Sequence, residues 1–168
     1  MTGQHGRVNL ETALSHMRDV VARWYVGQAR AADIVHTACD LLVAGLDGPS
    51  LCMLAAVSVR HADEEVPELL EAALRDVGLA FFEKGTQAAQ ETGLQAMAAR
   101  VLSGAMTPRE LAVWAHATFG HGTLERAERL VQLDDFYDTV DYMEATVEDL
   151  DAEVLRAARG ILNPSAQQ

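Results

Sequence analysis

Lysine is almost missing from this chain: Lys84 stands alone among 168 residues, beside 12 Arg. With 25 acidic side chains against 13 basic ones, the formal net charge is −12. A chain this acidic repels phosphate backbones and anionic lipid surfaces, so nucleic acid and membrane drop out as partners. Cysteine is also scarce. Cys39 and Cys52 form no CxxC and no metal-binding spacing, which excludes a disulfide scaffold and a thiolate zinc site. They are expected as two buried thiols in a reducing compartment. Isoleucine occurs twice and aromatics make up 5% of the residues, which argues against a β-rich fold. No stretch approaches the ~18 uninterrupted apolar residues of a membrane-spanning helix. The first residues, Met1 to Arg7, carry no apolar targeting segment, so the expected location is cytoplasmic.

What is abundant is alanine, with 28 copies, the best helix former. Gly and Pro punctuate the chain into pieces of helical length. Leu10–Tyr25 carries Leu10, Leu14, Met17, Val21 and Trp24 at three- and four-residue spacing. Ala29–Ala44 repeats that pattern, and the short Gly27-Gln28 link predicts an antiparallel hairpin. Leu51–Arg60 is apolar all round and reads as a buried central helix, with a strand through Val57-Ser58-Val59 as the alternative. A helix from Asp63 to Gly78 and another over Thr86–Leu102 follow. Thr107-Pro108-Arg109-Glu110 is a capping box with Pro at the first helical position. Its helix stops before Gly120-His121-Gly122. The region 124–161 reads as one bent helix or as two helices broken near 138–145. Residues 1–8 and 163–168 are expected to fray. The whole reads as one all-α domain of about seven or eight mostly antiparallel helices, a bundle or a short α-solenoid.

Three stretches carry a resemblance. They are Leu42-Val-Ala-Gly-Leu-Asp-Gly-Pro-Ser-Leu-Cys-Met-Leu-Ala55, Leu102-Ser-Gly-Ala-Met-Thr-Pro-Arg-Glu-Leu-Ala-Val-Trp114 and Leu133-Asp-Asp-Phe-Tyr-Asp138. Together the chain resembles small all-helical actinobacterial proteins of unknown function. The resemblance implies the helical fold and no activity.

The charge is localised. Residues 134–153 hold nine acids and no Lys or Arg, and the remaining residues carry a net of only −3. On one helix, Asp134, Asp138, Asp141, Glu144 and Glu148 would form a stripe beside Phe136, Tyr137, Val140, Met143 and Val147. Like charges on neighbouring turns cost a few tenths of a kcal/mol each, so the run asks for a reason. Solubility is one. A basic protein partner, anchored by exposed Tyr137 or Tyr142, is another. A hard cation is a third, although the Asp-x-Asp-x-Asp-Gly loop is missing.

Histidines are the other candidates. His116 and His121 flank Phe119, but their five-residue separation is not the four-residue spacing of a metal pair on one helix face, and no third ligand is identifiable. A partly buried His116 and a helix-capping His121 is the ordinary reading. Asp33, His36 and Asp40 share a face of the second helix, and His16 and Asp19 share one on the first; these lie opposite the apolar stripes and read as solvated. Glu83-Lys84-Gly85-Thr86 is no phosphate cradle, and no nucleophile motif stands out. Self-association through Trp24 or Phe81-Phe82 is a further candidate. The expectation is therefore a non-catalytic interaction protein of accessory, regulatory or immunity type. It needs no cofactor, and its acidic face docks on a basic partner. The alternative is a helical-bundle metal-binding protein or enzyme using His16, His36, His116 or His121.

Overall fold

A computed structural model describes residues 3–163, with side chains from Asn9 onward. Every regular element among them is helical, as composition predicts. The chain divides into two units, Met1–Ala89 and Gln90–Gln168.

The first unit holds α1 (Gly3–Tyr25), α2 (Ala31–Val43), α3 (Pro49–Ala55) and α4 (Ala62–Asp76). α1 packs on α2, α2 packs on α3 and α4, and α3 packs on α4. Met17, Val21, Ile34, Leu41, Leu54 and Leu70 are among the buried side chains they share. Each such burial stabilises by about 1.5–3 kcal/mol. α1 reaches back to Gly3, ahead of the expected start at Leu10. No proline interrupts that stretch, and each residue added to an existing helix gains a hydrogen bond. The expected fraying of residues 1, 2 and 164–168 lies outside the described residues.

Two expectations fail in this unit, and one candidate surface is closed. The run from Leu51 is a seven-residue helix and not a buried central one; it hides Leu51 and Leu54 but exposes Met53, and Val59 beyond its end is exposed too. A helix buries a continuous run only when neighbours surround it, and α3, packed on α2 and α4, buries Leu51 and Leu54. Cys52 on the same helix is exposed, not buried, and so is Cys39 on α2. Trp24 is core and not an open seam. Lys84 lies 4.4 Å above its ring, and the Phe82 N–H donates to the Tyr25 hydroxyl at 3.0 Å.

α5 (Gln87–Leu102) begins in the first unit and continues in the second. The second unit adds α6 (Pro108–Phe119), a 3-10 turn (Glu125–Ala127), α7 (Glu128–Thr139), a second 3-10 turn (Val140–Tyr142) and α8 (Val147–Leu162). α6, α7 and α8 all pack on one another. The region 124–161 is thus two helices. α8 starts anew because Thr146 and Asp149 form a capping box, with the Thr146 hydroxyl accepting the Asp149 N–H at 3.2 Å. Among the described residues no helix is long and apolar enough to cross a membrane.

Candidate functional site: a histidine–carboxylate cluster

The cluster is built on α6 and α7. Thr107 opens α6 as predicted: its hydroxyl accepts the Glu110 N–H at 3.3 Å, and Glu110 accepts the Thr107 N–H at 2.7 Å. The helix buries Leu111, Trp114, Ala115 and Phe119, which leaves His116 on a half-buried flank of the last turn. Gly120 ends the helix at φ +63°, a conformation open to glycine and closed to most L residues. The chain turns there, and the His121 ring comes back to 5.2 Å from the His116 ring, inclined at 69°.

α7 supplies the acids. Glu128, Gln132 and Asp135 stand four and three residues apart, on one helix face. Asp135 lies between the imidazoles, its Oδ2 at 3.0 Å from His121 Nε2 and its Oδ1 at 3.7 Å from His116 Nδ1. Asp134, only 16% exposed, places Oδ2 at 2.9 Å from the same His116 Nδ1. Glu128 Oε1 is 3.0 Å from His121 Nδ1, and its Oε2 accepts the Gly122 N–H at 2.8 Å.

The electrostatics follow from those contacts. The Glu128 hydrogen bond, then the nearby Asp135 charge, pushes the His121 imidazole above its ordinary range. The Gly122 N–H, then His121, holds the Glu128 carboxyl below its usual range. With a carboxylate at each nitrogen of His121, the doubly protonated ring is the form that satisfies both. A divalent cation would serve Asp135 in place of the proton on His121 Nε2. His116, His121 and Asp135 each offer one ligand atom, and all three atoms lie within 4.8 Å of one another.

The other sequence candidates do not assemble this way. Asp33 pairs with Arg30 in the cap of α2, at 3.1 Å, and His16, His36 and Asp40 are exposed. They face away from the stripes that bury Met17 and Ile34, so among the described residues no third ligand joins them.

The single acidic stripe is broken. Tyr137 is buried and not an exposed anchor; its hydroxyl donates to Asp151. Position 137 falls on the face of α7 that meets α8, which a reading of one continuous helix could not place. Asp134 belongs to the histidine cluster, and Asp138 stands 3.8 Å from Arg109. Asp149 caps α8, and Glu153 pairs with Arg129 and Arg156. Asp141, Tyr142, Glu144 and Glu148 are exposed around the turn into α8.

Sequence reasoning alone does not single out Asp135 and Glu128. The only trace there is Leu133-Asp-Asp lying downstream of His116 and His121, and nothing linear says that α7 folds back on α6. Comparisons with protein-family models, curated proteins and solved structures find no match for the chain.

Proposed function

We propose that this chain is a divalent-metal-binding helical protein whose ion is held by His116, His121 and Asp135. The observation that carries the reading is the convergence of one ligand atom from each within 4.8 Å. In a tetrahedral zinc site, donors at about 2.0–2.1 Å from the metal stand roughly 3.3 Å apart, so side-chain rotations of about an ångström close the set. Imidazole with carboxylate suits zinc and its first-row neighbours rather than calcium or magnesium. Three donors from the protein, on half-exposed side chains, leave a coordination position open to water or to a further ligand.

Calorimetric titration of chelator-stripped protein with zinc tests this. One ion per chain is expected, lost in His116→Ala, His121→Ala and Asp135→Asn and kept in His16→Ala and His36→Ala. Binding that survives the first three substitutions, or no binding at all, overturns the reading.

A second reading keeps the acidic docking surface, now confined to the turn into α8. Tyr142 is 92% exposed there, between Asp141 and Glu144. An exposed aromatic ring with acidic residues beside it in the chain is suited to a basic partner, held less tightly as salt rises. Changing Asp141, Glu144 and Glu148 to their amides should abolish salt-sensitive capture of such a partner; unchanged capture and salt dependence exclude it.

A further inference from the structure

We infer that Glu128 is the positioning residue of this site, holding His121 so that Nε2 is the nitrogen that meets the metal. The inference rests on the metal reading above and adds which atom binds and what fixes it.

The two ring nitrogens of His121 are not equivalent. Nδ1 is 3.0 Å from Glu128 Oε1, whereas Nε2 is 3.0 Å from Oδ2 of Asp135, a proposed ligand. Glu128 therefore stands on the far side of the imidazole from the ion, and it is not among the three residues whose ligand atoms converge. Its carboxylate is tied down independently of His121. Oε2 accepts the Gly122 N–H at 2.8 Å, and Oε1 accepts from the Gln132 amide at 3.3 Å. Glu128 is also the first residue of α7, where the helix dipole favours an anion. An acceptor fixed on Nδ1 keeps the proton there, so Nε2 offers its lone pair to a cation.

Asp134 does not do the same for His116. Asp134 and Asp135 both approach one nitrogen, Nδ1, at 2.9 and 3.7 Å. Asp134 thus lies on the ligand side of its ring, and Glu128 is the carboxylate in the outer position.

The test is zinc titration of protein with 15N-labelled imidazoles, followed by NMR of the ring nitrogens. Wild type should show His121 protonated at Nδ1 with the zinc-induced shift on Nε2. Loss of an outer carboxylate lowers metal affinity about 10–100-fold. Glu128→Ala should show that loss, with the zinc shift no longer confined to Nε2 of His121. Glu128→Gln keeps an acceptor for the Nδ1–H, so it should retain Nε2 coordination with a smaller loss. Because the wild-type spectrum reports the binding atom directly, the proposal remains testable if Glu128→Ala does not fold. Zinc bound through Nδ1 of His121, or Glu128→Ala with wild-type affinity and Nε2 coordination, overturns the inference and leaves the metal site standing. Failure of the wild type to bind zinc overturns both.

Discussion

The rings of His116 and His121 stand 5.2 Å apart although the helix that carries His116 ends before His121 is reached. The link is Gly120, at φ +63° and ψ −173°. A residue with a Cβ pays about 1–3 kcal/mol of strain in that region. Nothing lies within 4 Å of the Cβ position, so strain and not collision sets the outcome. Gly120→Ala should lower the unfolding free energy by about 1–3 kcal/mol in urea. It should also weaken zinc binding, because His121 is re-aimed. Ala152→Gly, on the exposed side of α8, costs about 1 kcal/mol without touching the site, and zinc binding should be unchanged there.

The N-terminus of α3 is capped from α4. Asp76 Oδ2 accepts the Ser50 N–H at 2.7 Å and the Leu51 N–H at 3.0 Å. The N-cap position itself is Gly48, which has no side chain to offer, and a Cβ built there would meet Asp76 Oδ2 at 2.6 Å. Asp76→Ala should cost about 0.5–2 kcal/mol, the range for loss of a helix cap. Gly48→Ala displaces the same carboxylate, so urea melts of the double mutant should show less than the sum of the single losses.

Tyr137 links stability to alkaline pH. Burial first, and then its hydrogen bond to Asp151, pushes the hydroxyl well above the ordinary tyrosine range. A group raised in the folded state stabilises fully below its unfolded value, about 10, and loses that contribution as pH rises through the folded value. Thermal melts should therefore weaken above that pH. Tyr137→Phe should flatten the alkaline limb and cost on the order of 1–3 kcal/mol at neutral pH. Tyr142→Phe, at an exposed position, should leave both unchanged.

Acid acts on the caps. The backbone N–H of Thr107, and then its hydroxyl, holds the Glu110 carboxyl below the usual range; Thr146 does the same for Asp149. Groups lowered in the folded state stabilise above the unfolded carboxylate range, about 4, and lose that contribution as pH falls through the folded values. Melting temperature should drop on acidification in that window. Glu110→Gln with Asp149→Asn should flatten the drop, while melts at neutral pH lose the caps' contribution.

Much of the helical order is legible in the sequence. Thr107-Pro108-Arg109-Glu110 and Gly120 bound α6 where local chemistry says they must, because capping needs residues only three apart. Periodicity alone leaves the break between α7 and α8 open, since apolar residues continue through it; the Thr146 cap resolves it. The run from Leu51 misleads for the opposite reason. It is apolar all round, yet α3, packed on α2 and α4, buries Leu51 and Leu54 and leaves Cys52 and Met53 exposed.

Within the histidine cluster, the sequence points to His116, His121 and Asp134 but not to their relationship. By itself the sequence determined helix content, most helix limits, the apolar stripes and the concentration of acid after residue 133, all properties of short spacing. The tertiary structure decided which of those acids are half-buried, capping or paired. It also decided that Asp135 and Glu128 meet the two imidazoles. That decision belongs to the packing of α6 on α7, because contacts between residues 7 to 19 positions apart depend on how a turn redirects the chain.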